Sequence, residues 1–131
     1  MTTRQGSPTI SAALCGLLLA EAAEEHLGVW EFLWHAYETL GASDEEEAKQ
    51  IALGLVLQFL REGLLEAGFL EGSPAAFKAW ELSPQEAVTW ISRAWERLGR
   101  EPFTGDICWF RITPAGKNRL DSEVQKPTER S

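Results

Sequence analysis

Apolar and polar positions along the chain change period several times, and each change predicts an element. From Thr9 the spacing is helical, with Ile10, Leu14, Leu17 and Leu18 three and four residues apart and Glu21, Glu24 and Glu25 toward solvent. A second helical face follows in Leu27, Trp30, Leu33, Trp34, Tyr37 and Leu40, closed by Gly41. Gly28 separates the two, or one long helix runs through it. Ser43 and Glu46 then form a capping box, and the third helix presents Ala48, Ile51, Ala52, Leu55, Val56, Phe59 and Leu60 inward, with Leu53 and Leu57 as a second apolar strip. Gly63 stops it.

The short run 64–70 alternates and predicts a strand, and residues 71–80 read as a loop. Ser83, Pro84 and Glu86 start a fourth helix, whose inward side is Ala87, Val88, Ile91, Ala94, Trp95 and Leu98 before Gly99. After the Gly105-Asp106 turn a second strand puts Cys108, Phe110 and Ile112 on one face and Ile107, Trp109, Arg111 and Thr113 on the other. It ends at Pro114-Ala115-Gly116. Antiparallel pairing of the two strands would bring Glu66 near Arg111. The expected fold is mainly α with a small antiparallel sheet, an α+β domain over residues 9–120, with a disordered lead 1–8 and a flexible tail 121–131.

Composition narrows the class without naming a reaction. A chain of 131 residues, 44% hydrophobic and 24% charged, has the makeup of one ordinary globular domain. The apolar run Ile10–Ala23 resembles a secretory signal in length, but the lone Arg4, Pro8 and the acidic continuation favour a helix over a processed leader. It is too short to span a bilayer. A cytoplasmic protein with no membrane partner is therefore expected. Cys15 and Cys108 lack metal-ligand spacing and read as two buried thiols, with a long-range disulfide as the alternative.

The net charge of −8 is unevenly spread: residues 1–90 carry 4 basic and 14 acidic side chains, and residues 91–131 carry 8 and 6. An acidic body is a handicap for a nucleic-acid binder, because phosphate neutralisation by Lys and Arg supplies most non-specific affinity. His26 and His35 are the only histidines. Glu31 and His35, four residues apart, suit an ordinary surface pair, and no phosphate loop or metal motif accompanies them. No catalytic residue, cofactor or metal is expected.

Leu60, Gly63 and Leu64 at the end of the third helix, with Phe110, Thr113 and Gly116 closing the last strand, resemble the winged helix-turn-helix over roughly residues 27–116. The chain is also similar to small bacterial proteins of unknown function with a Trp-Glu-Leu-Ser-Pro helix start and a Gly-Asp-Ile-x-Trp strand. The resemblance implies a winged-helix-like domain, here with a helix inserted between the two wing strands. In DNA-binding members the third helix reads the major groove. This one exposes Glu45, Glu46 and Glu47 instead, with Leu53 and Leu57 between polar positions.

Two function classes follow. The first is a non-enzymatic protein-interaction module, an adaptor or an acidic neutraliser of another protein, docking through Trp109, Arg111, Glu45, Glu46, Glu47, Leu53 and Leu57. The second is a DNA-binding transcriptional regulator using Arg93, Arg97, Arg100, Lys117 and Arg119, with the N-terminal helices supplying a homodimer interface. Trp30, Trp34 and Trp95 fall in phase with helix cores. Trp80, Trp90 and Trp109 do not place themselves inside.

Overall fold

The computed structural model describes residues 12–103 and 105–130, with side chains described as far as residue 122. The expected lead 1–8 lies outside the described residues. Helix α1, Ala12–Glu24, buries Leu14, Cys15, Leu18, Leu19 and Ala22. Leu17, expected inside, is exposed. With three leucines in succession, the hydropathy pattern alone leaves the helix face ambiguous.

A two-residue strand, β1 (Leu27–Gly28), separates α1 from α2 (Val29–Glu38), so the break at Gly28 is real. Glu31 folds back to accept the Gly28 N–H at 2.7 Å, capping its own helix. The buried row of α2 is Val29, Phe32, Leu33, His35 and Ala36. Trp34 and Leu40, expected on the core face, are exposed, and Trp30 and Tyr37 are half-buried. The helix starts at Val29 and lies against α3, which selects a row one residue away from the one the largest side chains suggest.

Helix α3, Glu45–Arg61, is capped one residue later than expected. Asp44 accepts the Glu47 N–H at 2.8 Å, while the Ser43 N–H and hydroxyl both donate to the Glu47 carboxylate at 2.8 Å. Its core row contains Ala48, Ala52, Leu55, Val56 and Phe59, and also Leu53.

Strand β2, Leu65–Glu71, turns through Gly72 at φ +92° into β3, Ala76–Ala79. This hairpin occupies the stretch expected to be a loop. Helix α4, Pro84–Leu98, has the expected ends: the Ser83 hydroxyl accepts the Glu86 N–H, the Glu86 carboxylate accepts the Ser83 N–H, and Gly99 closes the helix at φ +72°. Strand β4, Trp109–Ile112, completes an antiparallel sheet in the order β1-β4-β2-β3. The expected pairing of the two strands holds, with Leu65 opposite Ile112, Glu66 opposite Arg111 and Ala67 opposite Phe110.

Pro114-Ala115-Gly116 opens helix α5, Pro114–Arg130, where a stop and then a tail were expected. The Thr113 hydroxyl accepts the Gly116 N–H at 3.0 Å and donates to the Gly63 carbonyl at 2.5 Å, so it caps α5 and ties it to the end of α3. A Cβ on Gly116 would come within 2.3 Å of the Leu64 carbonyl oxygen, so only glycine permits this approach.

The core centres on three phenylalanines from different elements. Phe32 of α2 meets Phe59 of α3 and Phe110 of β4 edge-on, with ring centroids 6.0 and 5.1 Å apart. Cys15 and Cys108 are both buried thiols.

Candidate interaction surface

The outer face of the sheet is the first place the sequence directs attention, and there the side chains are turned toward one another. Arg111 donates from Nε at 2.9 Å and from a terminal nitrogen at 2.6 Å to one oxygen of Glu66, as cross-strand register requires. Its guanidinium lies 4.4 Å over the Phe77 ring, and Phe77 stacks on His26 with centroids 5.3 Å apart and planes 4° apart. Trp109 is half-buried, with its ring packed beside Gly105. Phe77 is thus contacted from within the chain by Arg111 and His26, and Arg111 already has its carboxylate.

The acidic start of α3 is exposed, but its charges are partly engaged. Accepted hydrogen bonds from the Ser43 backbone and hydroxyl hold the Glu47 carboxyl below its ordinary pKa. Glu46 accepts from Gln50 at 3.0 Å. Glu45 and Glu46 border a shallow cleft of about 220 Å³ on the α4 side, floored by Lys49 and Trp95. Lys49 sits 5.7 Å over the Trp95 ring and 3.5 Å from Glu96. The two leucines expected at this surface are not on it: Leu53 is buried at 8% exposure, and Leu57 is half-buried against the core. In α3 they sit beside the inward row, and the packing of the neighbouring elements covers them.

The five cations of the nucleic-acid reading differ in what engages them. Arg100 pairs with Asp106 at 2.9 Å and also donates to the Glu101 carbonyl. With the Phe103 N–H as the larger influence and Arg100 as the second, Asp106 is held below its ordinary pKa. Arg119, on α5, donates to Glu62 at 3.3 Å and to the Cys15 sulfur at 3.5 Å. Lys117 is exposed on α5. Arg93 and Arg97, both exposed on α4, make no ion pair or side-chain hydrogen bond among the described residues.

The histidines and thiols are committed to packing. His35 is 2% exposed, with Nδ1 2.8 Å from the Thr39 hydroxyl and Nε2 3.5 Å from Glu21 of α1. It does not meet Glu31, which is occupied as a helix cap. Burial pushes the Cys108 thiol far above its ordinary pKa, away from the reactive thiolate. No group of His, Cys, Asp and Glu suited to a metal ion occurs among the described residues. Within them no helix is long and apolar enough to cross a membrane.

The feature that sequence reasoning missed is an aromatic cluster at the junction of the β2–β3 hairpin and α4. Phe69 of β2, Trp80 just past β3 and Trp90 of α4 pack pairwise at centroid distances of 5.2, 5.7 and 4.7 Å. Phe69 and Trp90 nevertheless stay 36% and 37% exposed, and Leu82 beside them 42%. Phe69 continues the inward row of Leu65 and Ala67, but the strand has by then run past the core. Two tryptophans out of phase with their elements were the available signal. Their meeting depends on the hairpin, which no alternation marks.

From Trp90 the same face of α4 continues to Arg93 and Arg97, bordering a shallow groove of about 440 Å³. A surface with exposed aromatic rings and two uncommitted guanidiniums can bury apolar groups at its centre and pair with carboxylates at its rim. Comparison with protein-family models, curated proteins and solved structures finds no match.

Proposed function

We propose that this chain is a non-enzymatic protein-interaction module, built on a winged-helix-like plan, whose docking face is the Phe69, Trp80 and Trp90 cluster with its Arg93 and Arg97 rim. The observation that carries the reading is the cluster's exposure. Large rings already in edge contact bury further area on a partner with little additional ordering cost, and Trp and Arg recur at energetic centres of interfaces. Of the face expected earlier, the exposed acids Glu45, Glu46 and Glu47 remain as a second, oppositely charged surface.

The test places a photo-crosslinking residue at Gln85, at the edge of the cluster, and a control at Arg61 on the far end of α3. In cells that make the protein, Gln85 should give a discrete protein adduct that disappears on Trp90→Ala or Phe69→Ala. An adduct from Arg61 with none from Gln85 would refute this docking face.

The rival reading is a winged-helix DNA-binding regulator. It draws support from the strand order, in which β1 and β2 flank β4 as in a three-stranded wing carrying an insertion. Against it, the start of α3 would bring Glu45, Glu46 and Glu47 toward phosphates, and Arg100 and Arg119 already have carboxylate partners. Salt-dependent retention of duplex DNA, lost on combined Arg93→Ala, Arg97→Ala and Lys117→Ala substitution, would establish the regulator instead.

A further inference from the structure

We infer that the groove along α4 takes an acidic amphipathic helix of a partner protein, seating an apolar side chain against Trp90 and Leu82 and pairing two carboxylates with Arg93 and Arg97. The inference rests on the docking role proposed above and adds the chemistry of the occupant.

Charge selects that chemistry. In a chain of net charge −8, most positive groups near a carboxylate are already paired: Lys49 with Glu96, Arg100 with Asp106, Arg111 with Glu66 and Arg119 with Glu62. Arg93 and Arg97 stand apart as two neighbouring guanidiniums without an ion pair among the described residues, on an exposed face beside exposed apolar groups. Glu86, at the other end of the groove, accepts the Ser83 N–H at 2.9 Å and is held by its own helix cap. A basic segment would meet Arg93 and Arg97 with like charge. An acidic one would neutralise them.

Spacing selects the helix. Arg93 and Arg97 are four residues apart on α4, which puts them about 6 Å apart along its axis. Carboxylates four residues apart on a second helix have the same spacing and lie on one face. Trp90 precedes Arg93 by three residues on that side of α4, and Leu82 lies before the helix start. An occupant running along α4 would therefore reach the apolar end one turn from its carboxylates. Helix-against-helix docking with apolar anchors at such intervals is a recurring mode of peptide recognition.

The experiment uses the full chain, labelled with nitrogen-15, and a synthetic amphipathic helix carrying leucines and glutamates at four-residue spacing. A second peptide replaces every glutamate with lysine. The acidic peptide should move the Trp90 indole N–H and the backbone signals of Thr89, Arg93 and Arg97, and the lysine peptide should not. Arg93→Glu and Arg97→Glu should each weaken binding roughly tenfold, and added salt should weaken it further. Arg93→Gln and Arg97→Gln guard against effects of the introduced acid.

Equal binding of the lysine peptide, or binding that neither arginine variant weakens, would overturn the inference. So would concentration-dependent self-association through residues 82–97, which would make a second copy the occupant. The Gln85 crosslink separates the two levels. An adduct that survives both arginine variants but vanishes with Trp90→Ala keeps the docking role and removes the acidic helix, whereas no adduct in the unaltered protein removes the docking role itself.

Discussion

Two aromatic triads in this molecule share a contact geometry and differ in what surrounds them. Phe32, Phe59 and Phe110 meet edge-on at 70° and 71° and are at most 2% exposed. Phe69 meets Trp80 and Trp90 at 72° and 70°, yet Phe69 and Trp90 keep more than a third of their surface in contact with solvent. Ring geometry therefore does not distinguish a buried triad from an exposed one. What does is the number of layers that cover the rings. The first triad lies among α2, α3 and β4, while the second has the hairpin and α4 beneath it and no element above it among the described residues.

Substitution of the buried triad should break this comparison most visibly. Phe32→Ala should lower the unfolding free energy by about 3–5 kcal/mol, combining lost apolar transfer with a cavity. Chemical denaturation reads this directly, and a loss near 1 kcal/mol would mean the core closes around the gap. Gly68→Ala comes next. A Cβ there would lie 2.2 Å from the Lys78 carbonyl oxygen, so β3 must shift, at a cost of about 1–3 kcal/mol. Amide exchange should quicken in 65–79 more than in α1 and α2 if the strain stays in the hairpin.

Trp90→Ala should cost about 2 kcal/mol, less than Phe32→Ala, because over a third of the residue's surface already meets solvent. If it proves as costly as Phe32→Ala, the exposed triad is part of the core and the proposed docking face loses its basis.

The smallest effect concerns how the α4 region is fastened to the helical core. The Tyr37 hydroxyl on α2 donates to Glu101, just beyond α4. That hydrogen bond, then burial, then the negative charges of Glu101, Glu45 and Asp44 push its pKa up from 10.0 to about 12. A raised value means that the folded state favours the neutral phenol. The associated stability is fully present below pH 10 and is lost as pH rises from 10 through about 12. Tyr37 is the only tyrosine in the chain, so its ultraviolet titration reports this group alone. The folded protein should titrate near 12 and Glu101→Gln distinctly lower, while a midpoint near 10 in the unaltered protein would show that this fastening does not form in solution.

Local chemistry was legible wherever one residue type has a single economical use. The Ser83, Pro84 and Glu86 helix start, the φ-positive Gly99 and the alternation of Cys108, Phe110 and Ile112 all appear in the structure as their residues imply. So does the Glu66 and Arg111 pair, since a two-residue period combined with antiparallel pairing leaves few registers. Less legible were positions where several apolar residues compete for one face. Leu17, Trp34 and Leu40 point out while neighbouring apolar residues, among them Leu18, Leu19, Phe32 and Leu33, take the buried row.

The chain by itself left the break at Gly28 as one of two open readings, but determined the order of most helices, the pairing of its two main strands and an acidic body with late-placed arginines. These follow from short-range periodicity, caps and charge, which act over a few residues and leave their mark in consecutive positions. Only the tertiary structure decided that residues 76–79 add a strand, that Pro114 opens a helix, that the Arg111 guanidinium lies over Phe77, and that Phe69, Trp80 and Trp90 meet. Each of those outcomes depends on which distant segment supplies the neighbour, and burial at a contact depends on both partners.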